Sequence, residues 1–115
     1  MERIQTIKLF DAEAILKNGN SLSAPFDRRD VTGLGLFSVH YIFAGTGQLK
    51  LEYLLCSTSG GTYLEPGGAS DIAQGLSAGS DIITFAPELA PFLKIKATEE
   101  NVNPVTSLTL WINYQ

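Results

Sequence analysis

Leu34-Gly35-Leu36-Phe37-Ser38-Val39-His40-Tyr41-Ile42-Phe43-Ala44-Gly45-Thr46-Gly47-Gln48-Leu49-Lys50-Leu51-Glu52-Tyr53-Leu54-Leu55-Cys56 is the stretch whose reading decides the fold. In its first arm Phe37, Val39, Tyr41 and Phe43 share one face, while the other carries Ser38 and His40 between Leu36 and Ile42. In its second arm Leu49, Leu51, Tyr53 and Leu55 alternate with Lys50, Glu52, Leu54 and Cys56. Period two marks strands with one buried face. Gly45-Thr46-Gly47 joins the arms, with glycines where a tight turn needs positive φ, so the stretch is expected to form a long β-hairpin.

The same alternation recurs outward from this pair. Phe92-Leu93-Lys94-Ile95-Lys96-Ala97-Thr98 is a strand with Leu93, Ile95 and Ala97 inward, and residues 105–114 form the last strand, with Leu108, Leu110, Ile112 and Tyr114 on one face. Asp81-Ile82-Ile83-Thr84-Phe85-Ala86 is a strand halted at Pro87. Pro87-Glu88-Leu89-Ala90-Pro91 reads as a tight crossing loop, with Leu89 placed to plug the core. Residues 21–27 form a strand with Leu22, Ala24 and Phe26 alternating against Ser21, Ser23 and Pro25; since Pro25 cannot donate to a ladder, an edge or a bulge is implied. Residues 3–10 alternate imperfectly, as an edge strand or an arm would. Asp11-Ala12-Glu13-Ala14-Ile15-Leu16-Lys17 admits two readings: a helical turn, favoured by its Ala, Glu, Leu and Lys, or extended chain ending at Asn18-Gly19-Asn20. Thr62-Tyr63-Leu64-Glu65 is a brief strand stopped by Pro66-Gly67-Gly68. Residues 69–79 are small and polar and read as a long surface loop, with Ser70 placed to cap one helical turn. Seven or eight short strands between Gly, Pro, Asn and Asp loops predict an all-β fold: an antiparallel β-sandwich, jelly-roll-like, as a single domain over 1–115.

The chain has 115 residues, enough to bury a core without disulfide or metal staples. Its apolar fraction of 44% is that of a globular domain. Only 17% of residues are charged, which suits a surface that packs against neighbours and equally reflects the low β-propensity of Lys and Glu. The net charge of −4 comes without a basic stripe, so no nucleic-acid partner is expected. No apolar run reaches the length of a membrane span, and Met1-Glu2-Arg3-Ile4 lacks the pattern of a signal peptide. Cys56 is the lone cysteine, excluding an intrachain disulfide and fitting assembly in a reducing cytoplasm.

Catalytic chemistry has little to work with. His40 is the lone histidine and sits mid-strand without a serine nucleophile motif. Cys56 has no second metal-type ligand at useful spacing and no basic neighbourhood to form a thiolate. Gly60-Gly61 and Gly67-Gly68 lead into neither a Lys nor a helix, so they are not phosphate loops. Phe26-Asp27-Arg28-Arg29-Asp30 is the densest charge cluster and reads as a solvated corner of Asp–Arg pairs with an Asx turn rather than a metal or anion site. The expectation is a protein that is not an enzyme, with no catalytic, cofactor or metal residues. Binding is the class left. Trp111 alternates with Thr109 and Asn113 on the polar face of the last strand, where a Trp can anchor a protein neighbour or a sugar ring. Ile4, Ile7 and Phe10 supply apolar mass to a poorly alternating N-terminal segment. Together with Trp111 they are the candidate protein-contact residues.

Phe85-Ala86-Pro87-Glu88-Leu89-Ala90-Pro91-Phe92-Leu93-Lys94-Ile95-Lys96, with Glu52-Tyr53-Leu54-Leu55-Cys56-Ser57, Tyr63-Leu64-Glu65-Pro66 and Ser70-Asp71-Ile72, resembles small β-sandwich proteins encoded among the structural genes of tailed phages and prophages. The resemblance spans about residues 26–111 and carries no catalytic or sugar-binding residue set. It implies a virion component assembled in the host cytoplasm: a capsid decoration (cement) protein, or another head- or tail-associated subunit. Its expected partners are viral coat or other virion proteins, or further copies of itself. The alternative is a carbohydrate- or host-receptor-binding jelly-roll module, with a glycan as ligand.

Overall fold

The structure, a computed structural model, describes residues 3–29, 31, 33, 35–68 and 71–115. Nine strands follow one another among the described residues: β1 (Gln5–Ile15), β2 (Asn20–Leu22), β3 (Phe26–Asp27), β4 (Phe37–Gly45), β5 (Leu49–Cys56), β6 (Asp71–Leu76), β7 (Gly79–Phe85), β8 (Phe92–Glu99) and β9 (Val105–Tyr114). They form two antiparallel sheets. Sheet A runs β1-β9-β4-β7; sheet B runs β2-β8-β5-β6, with β3 also on β8. If β2 and β3 are counted as two pieces of one edge, each sheet has four strand positions, and most connections pass from one sheet to the other. That is the strand order of a jelly roll, the predicted fold class.

The period-two faces meet where the alternation places them. Val39, Leu108, Leu110 and Ile112 of sheet A lie against Leu49, Leu51, Leu93, Ile95 and Ala97 of sheet B, all buried. Phe26, Phe37, Phe85, Tyr53 and Tyr114 close one end of this core, their rings meeting at centroid separations of 4.9 Å (Phe26–Tyr114) to 6.4 Å (Phe26–Phe37). Edge-on and tilted rings at such distances are favourable beyond the area they bury.

The central pair departs from expectation. β4 and β5 do not form a hairpin: β4 pairs with β7 and β9, and β5 with β6 and β8. The chain instead arches from one sheet to the other between Gly45 and Leu49. Alternation cannot tell these cases apart, because a strand with one buried face looks the same whether its neighbour lies beside it or across the core. The glycines do distinguish them. Gly45 has φ 114°, and a Cβ there would stand 2.7 Å from the Pro104 carbonyl oxygen and 2.8 Å from the Thr106 nitrogen. Gly47 donates its N–H to the same Pro104 carbonyl at 3.0 Å, and a Cβ on it would come 2.6 Å from the Asn103 carbonyl oxygen. The glycines serve the close passage of the arch under the β8–β9 connection, not a free turn.

Other elements also differ from their sequence readings. The ambiguous segment 11–17 is extended: β1 continues to Ile15 and pairs with β9 through three register shifts. At one bulge Ala12 takes φ 52°, and its N–H donates to the Thr109 hydroxyl at 3.1 Å. Residues 71–76 are strand rather than loop or helical turn; Ala69 and the proposed cap Ser70 lie outside the described residues. Their Ala, Gly and Gln content hid a strand that is held by its neighbour β5 rather than by propensity. Tyr63 and its neighbours make no full strand; Leu64 and Leu55 exchange a single pair of backbone hydrogen bonds at 2.9 Å. Residues 21–27 break at the proline into two short edge pieces, and the break inverts the expected phase: Ser23 is buried and Leu22 exposed. The Ser23 hydroxyl makes this tolerable by accepting the Ile95 N–H and donating to the Ala24 carbonyl, both at 2.9 Å.

At the end of the sandwich bearing the arch, Glu99 is 2% exposed. Its carboxylate accepts backbone N–H groups from Asn18 (3.0 Å), Gln48 (3.1 Å), Asn101 (2.6 Å) and Asn103 (3.1 Å). Burial opposes its charge, but the four amides overcome burial and hold its pKa down at about 2.

Candidate protein-contact surface

The end of the sandwich opposite Glu99 gathers the described residues between β3 and β4 (28–29, 31, 33 and 35–36), residues 57–68 and residues 86–91, together with residues 3–4 and Gln115. The loop 86–91 is fixed from beneath. The Arg28 N–H donates to the Pro91 carbonyl at 2.7 Å, the Arg28 guanidinium donates to the Glu88 carbonyl at 2.6 Å, and the Tyr53 hydroxyl donates to the Glu88 carboxylate at 2.5 Å. Burial, reinforced by Glu88, pushes the Tyr53 hydroxyl up to about 12, so it stays protonated and keeps donating. The Arg28 guanidinium lies 5.0 Å over the Phe37 ring. Pro87 and Pro91 stiffen both ends of the loop. The result is that Leu89, expected to plug the core, is 99% exposed at the loop's tip. A loop anchored through its backbone and through Glu88 has no slack to fold Leu89 inward, and the aromatic cluster already fills the space below.

One exposed leucine means little by itself, but contiguous apolar surface does. Three hollows of about 400, 440 and 410 Å³ open side by side here. The first is lined by Ile4, Leu36, Phe37 and Tyr114, the second by Val31, Phe37, Leu89 and Ala90, and the third by Leu55, Leu64, Pro66, Leu89 and Ala90, with polar residues between. Phe37 joins the first two, and Leu89 and Ala90 join the last two. Leu36 and Leu64 are also exposed.

The sequence-predicted contact residues divide. Ile4 is 70% exposed and lines the first hollow, so it belongs to this end. Ile7 is exposed on β1 opposite Ile112. Phe10 must be withdrawn: it is 4% exposed, pairs with Leu110 and packs in the core, because the shift after Lys8 turns it inward. Trp111 lies on the outer face of sheet A, far from the loops, in a row Lys8–Trp111–His40–Ile82 across all four strands. His40 stacks on it at 4.8 Å between centroids, and the Lys8 ammonium lies 5.7 Å from its ring. His40 thus serves as a stacking partner in a strand. Leu89, Leu64 and Leu36 were missed as contact residues because exposure of a loop leucine leaves no periodic signal.

Other chemistry-bearing groups are accounted for locally. Asp27 accepts the Arg29 N–H at 2.9 Å and its guanidinium at 2.8 Å, the Asx corner expected from the charge pattern, and this side-chain hydrogen bonding lowers the Asp27 carboxyl. Asp30 lies outside the described residues. Glu52, Glu65 and Asp71 could jointly offer oxygens to a cation, but Lys50 stands 3.8 Å from Glu52 and 3.5 Å from Asp71 and supplies positive charge there. The Cys56 thiol is lowered by the Thr58 backbone amide first and then by those of Ser57 and Gly61, a source of thiolate stabilisation that a search for basic side chains overlooks. No helix among the described residues is long and apolar enough to cross a membrane.

No protein-family description matches the chain, and no curated protein sequence matches it. Among solved structures it is similar to a chain in the structure of infectious bursal disease virus, Gx strain, with a TM-score of 0.50 at 14% identity over 97% of this chain. The chain spans 32% of that viral chain's length. It also aligns with the crystal structure of FLHE over 96% of this chain and 97% of that one, at 14% identity and a TM-score of 0.32, too low to bear on the fold. The likeness to the viral chain is one of fold: nearly the whole of this protein superposes on one part of a larger one.

Proposed function

We propose that this protein is a structural component of a virus particle, of the tailed-phage kind: a capsid decoration (cement) protein, or another head- or tail-associated subunit. It acts by protein–protein contact rather than catalysis. The observation that carries the reading is the contiguous apolar end in which a pinned loop holds Leu89 wholly in solvent. A rigid apolar knob between hollows loses little conformational freedom on docking, which favours association. The tailed-phage resemblance of residues 85–96 falls on this same loop, and the shared fold with a chain of a solved virus structure agrees with it. On a particle, many weak copies acting together give lasting attachment.

The test has two steps. A mass-spectrometric inventory of purified particles should contain the chain. Particles lacking it should then rebind the wild-type protein but not Leu89→Asp, provided the variant melts like wild type. Rebinding of Leu89→Asp at wild-type occupancy refutes the assignment of this end. The glycan alternative rests on Trp111, whose ring is already engaged by His40 and Lys8. Binding to purified glycan with indifference to particles would put that alternative in its place.

A further inference from the structure

The sandwich presents four strand edges among the described residues, and three of them are guarded against pairing. β1 carries three register shifts and the charges of Lys8, Asp11 and Glu13. The β2/β3 edge is three residues, then Pro25, then two residues. β6 is interrupted by two shifts, with Gly75 at φ 67°. Bulges, charges, proline and shortness are the devices that stop a sheet edge from recruiting another strand. β7 has no bulge and no proline, and Gly79, at its first position with φ 143°, leaves its ladder unbroken. Its seven residues pair with β4 in unbroken register from Phe37↔Phe85 to Phe43↔Gly79, without Lys or Pro.

The direction of its free groups follows from the neighbouring ladder. Leu36 and Gln115 exchange both backbone bonds at 3.1 Å, so the even residues of β4 bond towards β9 and the odd ones towards β7. The odd residues of β7 therefore answer β4, and the N–H and C=O groups of Ser80, Ile82 and Thr84 face outward. The Ile82 N–H agrees: it donates to its neighbour's carboxylate, Asp81 Oδ1, at 2.8 Å. Asp81 is the one cap on this edge.

We propose that β7 is a homotypic pairing edge: two copies of this chain associate antiparallel, β7 against β7, about a twofold axis at Ile82. Register chooses this arrangement. Centring on Ile82 sets Ser80 opposite Thr84 and Gly79 opposite Phe85, overlapping the full strand. It sets Asp81 opposite Ile83, whereas a shift centring on Asp81 would oppose two carboxylates, which is unfavourable. It also joins the two exposed Ile82 side chains, each 59% exposed in the single copy, and extends the outer row Trp111–His40–Ile82 across the axis into its twin. Such self-complementarity is what a twofold interface requires. Pairing takes the Ile82 N–H from Asp81, so Asp81 tunes how tightly the copies associate. This inference is independent of any role in a virion.

Sedimentation of the purified chain over a range of concentrations tests it. Wild type is expected to shift from monomer to dimer mass. Ile82→Pro should remain monomeric: at an edge whose N–H faces outward, proline costs the folded chain no ladder bond but removes the central donor. Ile82→Lys, which sets like charges across the axis, guards against the proline variant failing to fold and should be monomeric too. Asp81→Ala, which frees the donor, should tighten the dimer roughly 5–10-fold, the worth of one backbone hydrogen bond. Amide exchange should slow at Ser80, Ile82 and Thr84 on dimerisation. Wild type that stays monomeric at every concentration, including one that pairs only with another protein, overturns the proposal. So does a dimer that survives both Ile82 substitutions.

Discussion

Replacing Gly45 by Ala separates an arch from a hairpin. In a hairpin turn the new methyl would meet solvent, and only its backbone angle would matter. In the arch two costs combine. At φ 114° a non-glycine residue is strained by ~1–3 kcal/mol. The methyl also stands 2.7 Å from the Pro104 oxygen, 2.8 Å from the Thr106 nitrogen and 3.1 Å from the Val105 Cα. All three are backbone atoms, so no side chain can swing aside, and overpacking of this kind costs ~1–3 kcal/mol. Alanine recovers ~0.4–1 kcal/mol by restricting the unfolded chain. The sum is a loss of about 3 kcal/mol. Gly75→Ala is the matched control: its φ is 67°, yet a methyl there meets nothing within 4 Å. Its strain of ~1–2 kcal/mol less the same entropy gain leaves about 1 kcal/mol. The assay is urea unfolding followed by Trp111 fluorescence and far-UV circular dichroism. With a slope of ~1–3 kcal/mol per molar urea, the ~2 kcal/mol difference separates the two midpoints by about 1 M. Equal midpoints for Gly45→Ala and Gly75→Ala would refute the close backbone approach of Gly45 to Pro104, Val105 and Thr106 from which the arch is argued.

Other expectations are checked more briefly. Because the folded pKa of Glu99 is about 2 against an ordinary 4.5, its contribution is fully present above pH ~5 and is lost as pH falls towards 2; thermal melts of wild type should decline across that window, and those of Glu99→Gln should start lower and decline less. Phe10→Ala should cost ~3–5 kcal/mol in chemical denaturation, as a buried aromatic does, while Ile4→Ala stays within ~0.5 kcal/mol; the reverse order would return residues 3–10 to the role of a detached arm. Tyr53→Phe removes the hydroxyl that pins Glu88 and should speed amide exchange in residues 86–91 while leaving the rest of the core protected.

Strand identity was legible in the sequence wherever one face is fully buried. Phe37 to Phe43, Leu49 to Leu55, Leu93 to Ala97 and Leu108 to Ile112 all alternate, and their inward members are the core. Pairing was not legible, since alternation records which face is dry and not which strand lies alongside. Phase failed at Leu22 and Ser23 because Pro25 broke the ladder, letting a hydroxyl with two partners occupy a buried position. It failed at Phe10 because a bulge shifts every later side chain by one, and bulges on an edge strand leave no compositional mark. Residues 71–76 were invisible as a strand because a neighbour imposes their conformation. The candidate surface was legible only in part. Trp111 and Ile4 could be picked as apolar residues on polar ground, but Leu89 is exposed because Arg28 and Tyr53, distant in sequence, hold its loop.

The two ends of the sandwich are built for opposite tasks. At one end a single buried carboxylate, Glu99, receives amides from segments beyond β1, β4 and β8, and the remaining crossing there, between Leu76 and Gly79, is two residues long. A change in any of these segments disturbs a charge that burial would otherwise expel, so this end has little freedom to vary. The described residues of the long connections, those between β3 and β4, 57–68 and 86–91, lie at the other end, where the core is already closed by the ring cluster of Phe26, Phe37, Phe85, Tyr53 and Tyr114. Apolar side chains above that closure are not needed to hold the sheets together. Replacing Leu36, Leu64 or Leu89 by a polar residue is therefore expected to cost the fold little, and their hydrophobicity calls for an explanation outside the folded chain. Contact with a neighbouring protein supplies one: it removes them from water, and the fixed end keeps the sheets in register while it does so.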